Sequence, residues 1–225
     1  MMTSAMSVDT HALIAKVFAC DAALAEVIAN KTRFRDFPAR SIIVEGDSAF
    51  DHVYVLVDGH ARMLAYAVDG RLVAVEDYVP GDLFGENGLF ETQVAPHDIC
   101  AVTQSRTGAL AHPEFLALMT NYHAVGLAVS RRLVARLSSL TRRMVEGATL
   151  SANGRIHAEL LRQAQASDNM TICPAPVLSA FALIVQSTRE TVSRAIGALE
   201  KRGIIERNEQ GLRVVAPHRL EELIY

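Results

Sequence analysis

In QSTRETVSRAIGALEKRGII, residues 186–205, Arg189, Glu190, Ser193 and Arg194 form a short polar run that then turns apolar. These side-chain types can read base pairs. An arginine donates two hydrogen bonds to guanine O6 and N7, and a glutamate accepts from cytosine N4. Serine is short enough to meet a thymine methyl or a base edge. A helix from about Thr188 to Arg202 puts Val192, Ile196 and Leu199 on one buried stripe with Ala195 beside them, and the four polar residues on the opposite, N-terminal face. Thr188 suits an N-cap, and Ser187 and Thr188 join the four as candidate DNA-binding residues. Lys201 and Arg202 complement the dipole at the other end. A merely solvated helix start has the same spacing, so the surrounding elements decide between the two readings.

Those elements favour DNA. LSAFALIVQ reads as a helix just ahead, and IIERNEQGLRVVA as two strands about the turn NEQG, which gives the helix, turn, helix and β-wing order of a winged helix-turn-helix. RIHAELLRQAQ is a further helix and SDNMTICPAPV a loop. Net charge is −3, but residues 1–129 carry 8 Lys+Arg against 16 Asp+Glu, while residues 130–225 carry 14 against 9. An acidic front and a basic back imply two parts with different partners.

The chain of 225 residues is 50% hydrophobic and 21% charged, as in a globular protein large enough for two small domains. No apolar run reaches the roughly 18 residues a membrane span needs, so a cytoplasmic protein without a membrane partner is expected. Cys20, Cys100 and Cys173 form no CxxC pair and suggest reduced thiols rather than a metal set, with Cys173 held open as a redox-sensitive loop thiol.

At the front, Leu13, Ile14, Val17, Phe18, Leu24, Val27 and Ile28 fall at helical spacing, for one or two short helices. From residue 41 onward short β-branched and aromatic runs are separated by Gly46, Asp58–Gly59, Asp69–Gly70 and Pro80–Asp82, and Asp-Gly between such runs is a hairpin signal. At least six strands at this spacing predict a small all-β barrel or roll. HPEFLALM starts a helix with Pro113 in its first turn. Tyr122, Gly126, Val129, Leu133, Leu137, Leu140 and Met144 then make a near-heptad seam longer than a small domain needs, suited to a second copy of the chain. The plainer reading packs this helix on the roll, where Arg131, Arg132, Arg136, Arg142 and Arg143 solvate it or meet the acidic front. A hinge is expected near Gly147 to Gly154. The expected class is α+β: helices and β-roll over 1–118, a long dimerisation helix over 119–147, and a winged helix-turn-helix over 148–225.

GDLFGE (81–86), NGRI (153–156) and STRETVSRAIGALEKRGII (187–205) resemble the CRP/FNR superfamily of bacterial transcription regulators, across roughly Phe34 to Ala216. The resemblance implies a cyclic-nucleotide-binding-type roll, a homodimer, and sequence-specific binding to double-stranded DNA, with RNA polymerase as a further partner. It places Arg189, Glu190 and Arg194 where a TGTGA-like half-site is read, and Ser193 where a TTGAT-like one is. It also points to Gly85, Glu86, His97, Arg136, Leu140 and Thr141 as effector-pocket residues, with Glu86 on a ribose hydroxyl.

The chain departs from the cyclic-AMP-responsive pattern at two points. Pro96, followed by His97, stands where those members carry the arginine that meets the cyclic phosphate. Leu140 and Thr141 stand where they place two hydroxyl residues against the adenine. An anionic phosphate buried without a cation is costly, which disfavours cyclic AMP and leaves the effector unknown, with no certain cofactor. His97 or Arg106 are the candidate replacements for the lost charge. Haem through His52, His60, His97 or His112 with a cysteine is a further option, which no ligand spacing marks. In the helix-turn-helix, Gln186 replaces a glycine favoured by positive φ, so the turn is expected to be altered or strained, and Leu178 and Leu183 replace commonly polar residues. No nucleophile-and-base pair, metal cluster or phosphate-cradling loop suggests an enzyme. The competing function is a small-molecule sensor whose winged helix binds a protein.

Overall fold

The computed structural model describes residues 9–46, 51–66, 72–90, 97–167, 169–208 and 211–225. Backbone contacts divide the chain into Met1–Arg136 and Leu137–Tyr225.

The first unit opens with α1 (Thr10–Phe18) and α2 (Ala22–Lys31). Each starts at an aspartate N-cap, Asp9 accepting from the His11 and Ala12 N–H groups and Asp21 from that of Leu24. Among the described residues eight strands follow: β1 (Arg33–Phe37), β2 (Ile42–Val44), β3 (His52–Asp58), β4 (Ala61–Tyr66), β5 (Leu72–Tyr78), β6 (Leu83–Phe84), β7 (His97–Ala101) and β8 (Ser105–Ala111). They form two antiparallel sheets, ordered β1-β8-β3-β6 and β2-β7-β4-β5. Alternation sets two cores. Leu56, Ala61, Met63, Tyr78, Phe84 and Ile99 pack together, while Val53, Val55 and Leu110 pack with Phe18 and Ile28 of the opening helices.

One expected hairpin is not there. Asp58–Gly59 joins β3 to β4, which lie in different sheets. The glycine is needed for passage between sheets: its φ is +88° and a Cβ would sit 2.3 Å from the Gln104 carbonyl. The strands flanking Asp69–Gly70 do pair, Tyr66 opposite Leu72, though that turn lies outside the described residues.

α3 (His112–Asn121) begins with Pro113 in its first turn. α4 (His123–Thr149) is 27 residues long, about 40 Å at 1.5 Å per residue. Its start belongs to the first unit, where Val125, Ala128 and Val129 join the core containing Phe115 and Leu118. Tyr122 precedes the helix, its carbonyl accepting from Val125 N–H at 2.9 Å. Of the seam residues, Val129 is therefore taken up by the chain's own core, while Leu133, Leu137, Leu140 and Met144 are exposed together with Leu127, Val134 and Val145.

The second unit adds α5 (Ala152–Gln165), β9 (Thr171–Ile172), α6 (Leu178–Ile184), α7 (Arg189–Lys201), β10 (Ile205–Asn208), β11 (Gly211–Val214) and α8 (Pro217–Glu221). Of the expected hinge span, only Leu150 and Ser151 lie outside a helix, since Gly147 is inside α4 and Gly154 inside α5. Ser151 caps α5 through the Gly154 N–H at 3.0 Å, and a Cβ on Gly154 would lie 2.4 Å from the Ile224 carbonyl, so the glycine serves a close approach rather than a bend. The wing is a three-stranded sheet, β10-β11-β9, over a core of Ile156, Leu160, Phe181, Val192, Ile196, Leu199 and Leu212.

Candidate nucleic-acid interface and effector-type cluster

α7 buries Val192, Ala195, Ile196 and Leu199, the stripe expected from their spacing. Each large apolar side chain so buried contributes about 1.5–3 kcal/mol, which anchors the helix by one face only. Thr188 is the N-cap, its hydroxyl accepting from the Thr191 N–H at 3.2 Å. Arg189, Glu190, Ser193 and Arg194 all lie on the exposed face. None of the four has a side-chain hydrogen bond or ion pair among the described residues. Ser187 is half-buried at the turn before them.

The turn from α6 to α7 has the positive φ expected of a helix-turn-helix, +51° at Gln186. A non-glycine residue there costs about 1–2 kcal/mol. Arg155 of α5 holds the turn from outside. Its Nε donates to the Val185 carbonyl at 2.9 Å, one Nη to the Gln186 carbonyl at 3.0 Å, and the other to the Leu150 carbonyl at 3.1 Å. The arginine of the NGRI motif thus ties the start of α5 to the turn that aims α7. Sequence reasoning singled out NGRI but gave Arg155 no role. Its signal, an arginine sharing a helix face with Glu159 and Arg162, is indistinguishable in sequence from a solvated one. Of the two other departures in this segment, Leu178 and Leu183, Leu178 packs at the margin of the unit's core.

The first unit holds a second charged group of a different kind. Glu86 stands in a short 3-10 turn after Gly85, whose φ is +86° and whose Cβ would come 2.5 Å from the His52 carbonyl. Glu86 is 8% exposed, and its Oε1 is ion-paired with an Nη of Arg136. The Arg136 Nε is 2.7 Å from Glu76 Oε2, and Tyr78 donates its hydroxyl to the same oxygen at 3.2 Å. Burial pulls the Arg136 guanidinium down, but Tyr78, Glu86 and Glu76 together hold it above its ordinary value. Burial pushes the Tyr78 phenol far up, so it remains a neutral donor. Glu86 Oε2 is buried with no hydrogen-bond partner among the described residues. Four residues along α4, Arg132 pairs with Asp82 at 3.0 Å.

Of the six expected effector residues, Gly85 and Glu86 are adjacent and Arg136 reaches Glu86. His97 is on β7 opposite Ala65, Leu140 and Thr141 are exposed residues of the second unit, and Pro96 lies outside the described residues. Glu76 and Tyr78 were not foreseen. The signal that could have found them is the i, i+4 pair Arg132 and Arg136, which marks a basic helix face opposite an acidic roll.

Of the candidate haem histidines, His60 and His52 have side-chain partners, whereas His112 Nε2 is buried without a hydrogen-bond partner among the described residues. His60 Nε2 is 2.9 Å from Asp77 Oδ1, which Arg62 also reaches at 2.6 Å, and the His52 ring faces that of Tyr54. No group of three metal-ligating side chains occurs among the described residues, where no helix is long and apolar enough to cross a membrane. Cys173 is exposed, and burial raises the thiol pKa of Cys20 and Cys100.

Comparison with known proteins gives two domain matches in chain order. The cyclic nucleotide-binding domain family matches residues 34–122 and the Crp-like helix-turn-helix domain residues 154–223. The chain is 25% identical over 179 residues to the cAMP-activated global transcriptional regulator Vfr of Pseudomonas aeruginosa, across 76% of this chain and 84% of Vfr. It is 26% identical over 174 residues to the cAMP-activated global transcriptional regulator CRP of Pasteurella multocida, across 75% of this chain and 83% of that protein. Its fold matches that of FixK2 from Bradyrhizobium japonicum with a TM-score of 0.74 at 19% identity, over 86% of this chain and 98% of FixK2. A nucleotide-binding-type roll followed by a Crp-like helix-turn-helix, in one chain and in that order, makes this protein a member of the CRP/FNR family of transcription regulators.

Proposed function

We propose that the protein works as a homodimer that reads a palindromic DNA site of the TGTGA or TTGAT type, through Arg189, Glu190, Ser193 and Arg194, without dependence on cyclic AMP, its effector being a different one or none. The observation that carries this reading is the face of α7: two arginines and a glutamate held outward by a buried apolar stripe, with no partner of their own among the described residues. Glu190 and Arg194 would read the inner GA of each half-site, and Ser187 and Thr188 would meet the backbone beside it. Two-fold symmetry would set half-site centres about one DNA turn apart, around 10–11 bp.

The dimer reading rests on Leu133, Leu137, Leu140 and Met144, which step by 4, 3 and 4 residues and are exposed on α4. In this reading residues 1–118 sense, 119–147 dimerise and 148–225 bind DNA, and regulation is a ligand's preference for one arrangement of the sensing and reading parts. RNA polymerase is the further partner, the cytoplasm the site of action, and the chain catalyses no reaction.

The relatives Vfr and CRP are cAMP-activated by name. Against the same effector here stand Pro96 at the phosphate-binding place and a cluster in which Glu76 and Glu86 outnumber Arg136. Glu86 Oε2, an acceptor with no donor among the described residues, suits an effector that offers a hydroxyl.

Fluorescence anisotropy of the ligand-free protein on duplexes with palindromic TGTGA and TTGAT half-sites, against scrambled controls at fixed salt, tests the reading. Specific binding without cyclic AMP supports it. Binding only with cyclic AMP overturns the effector part, and absence of specific binding in both conditions leaves two readings: an unidentified effector, or a winged helix that binds protein.

A further inference from the structure

A cavity of about 290 Å³ lies against β1, β8 and β3, and none of Glu76, Tyr78, Glu86 or Arg136 lines it. The registers Arg33 to Ala109 and Arg35 to Thr107, with Tyr54 to Ala109 and His52 to Ala111, put the alternate residues of all three strands on one face. The cavity therefore gathers Arg33, Arg35 and Phe37 of β1, His52 and Tyr54 of β3, and Thr107 of β8.

Three features of this face are unspent. Neither Arg33 nor Arg35 has a carboxylate partner among the described residues, and no acidic side chain lines the cavity. The Arg35 guanidinium lies 5.0 Å above the centre of the Phe37 ring, and the Tyr54 ring stacks on Phe84 at 5.1 Å and 7°, so two rings are already held flat. Thr107 is 0% exposed, and its Oγ1 has no hydrogen-bond partner among the described residues. A buried hydroxyl left unmatched is rare enough to need a reason, and a ligand that supplies the missing bond is one. Burial, with the Asp51 charge beside it, raises the Tyr54 phenol against the opposing pull of Arg35, and its hydroxyl remains a donor.

We propose that this cavity is a ligand site for a small aromatic carboxylate, separate from the Glu86–Arg136 cluster. The arginine fork matches a carboxylate in two parallel hydrogen bonds, and guanidinium and aromatic faces both stack on a planar ring. The volume is at the small end of ligand pockets and suits one or two fused rings. The hydroxyls of Tyr54 and Thr107 select for an acceptor-bearing ring edge.

Isothermal titration of 2-naphthoate into the full chain tests this, with 2-naphthylmethanol as the uncharged ring and inorganic phosphate as the ringless anion. The expected result is saturable binding at one site per chain, at least tenfold tighter than either control. Arg35→Gln, the double variant Arg33→Gln with Arg35→Gln, and the near-isosteric Thr107→Val should each weaken it, the double variant by tenfold or more, while Glu86→Gln leaves it within twofold. Arg33 and Arg35 are exposed, so their variants are expected to fold, and thermal unfolding checks this. Absence of saturable binding, equal binding of phosphate or of the alcohol, or indifference to the double arginine variant would overturn the site. Loss in Glu86→Gln would also overturn it, by assigning the heat to the other cluster. No arm of the test uses DNA, so its failure and failure of the DNA-reading proposal are separate results.

Discussion

The charged side chains of α7 and those around Glu86 have similar chemistry and opposite settings. On α7, Arg189, Glu190 and Arg194 are exposed and without internal partners, although Arg and Glu on neighbouring helix turns commonly pair. Around Glu86, one guanidinium is shared by two carboxylates and backed by a phenol, at 18% side-chain exposure for Arg136. A surface that leaves its hydrogen-bonding groups free in water loses little by doing so, and can exchange water for a partner at no internal cost. A half-buried cluster has no such freedom, because each charge there must be matched on the spot. One region is prepared for an outside molecule, and the other must first be disengaged from itself.

The largest test of that contrast is Arg136→Met. It strands Glu86 and Glu76 without their cation, and urea unfolding at pH 7 should register a loss of about 3–5 kcal/mol. A second substitution, Glu86→Gln, should restore part of it, and a loss below about 1 kcal/mol would mean the cluster is as loosely held as a surface pair. Arg194→Ala should act in the reverse sense. Stability should stay within about 0.5 kcal/mol, while the dissociation constant for a cognate duplex rises about tenfold to a hundredfold. A stability loss without an affinity loss would break the comparison from the other side.

Arg155→Met removes a charged donor from three carbonyls and should cost about 1.5–3 kcal/mol in the second unit, with uniformly weaker binding across DNA sequences. Gln186→Gly should relieve the left-handed residue and raise stability by up to about 1 kcal/mol, more visibly in the Arg155→Met background than alone. The smallest effect is on acid stability. Burial pushes the Asp77 carboxyl up, but hydrogen bonds and charge from His60 and Arg62 outweigh it and hold its pKa below the ordinary value. A folded-state pKa depressed in this way gives stability that is present above the unfolded pKa and lost as pH falls through the folded one, below about pH 4. Asp77→Asn should flatten the unfolding midpoint in that range by under about 1 kcal/mol.

What was legible in the sequence follows from how far each signal acts. Val192, Ile196 and Leu199 and the N-cap Thr188 are local regularities, and α7 emerged within one residue of either expected end. The roll was legible as alternating strands, but not which strands pair. Asp58–Gly59 looks like any hairpin turn, and only the close approach of Gln104, 45 residues on, marks it as a passage between sheets. β9 is two residues long and α8 five, too short for periodicity, and both exist because β11 and the Ile156–Leu160 core need covering. The candidate sites divided in the same way. The α7 residues lie within six positions of one another, whereas Glu86 and Arg136 are 50 apart and meet only through the packing of α4 on its own unit.

The Arg155 clamp has a consequence for how such chains diverge. Its three acceptors are main-chain carbonyls, present whatever residues stand at positions 150, 185 and 186. The side chain at the left-handed position is thereby released from the demand for glycine, and the instruction for the bend is stored about thirty residues upstream, in a different helix. Substitutions at the turn should be tolerated widely while Arg155 remains and narrowly once it is gone. Inheritance of the turn would then be traced more faithfully by the residue that grips it than by the residues that form it.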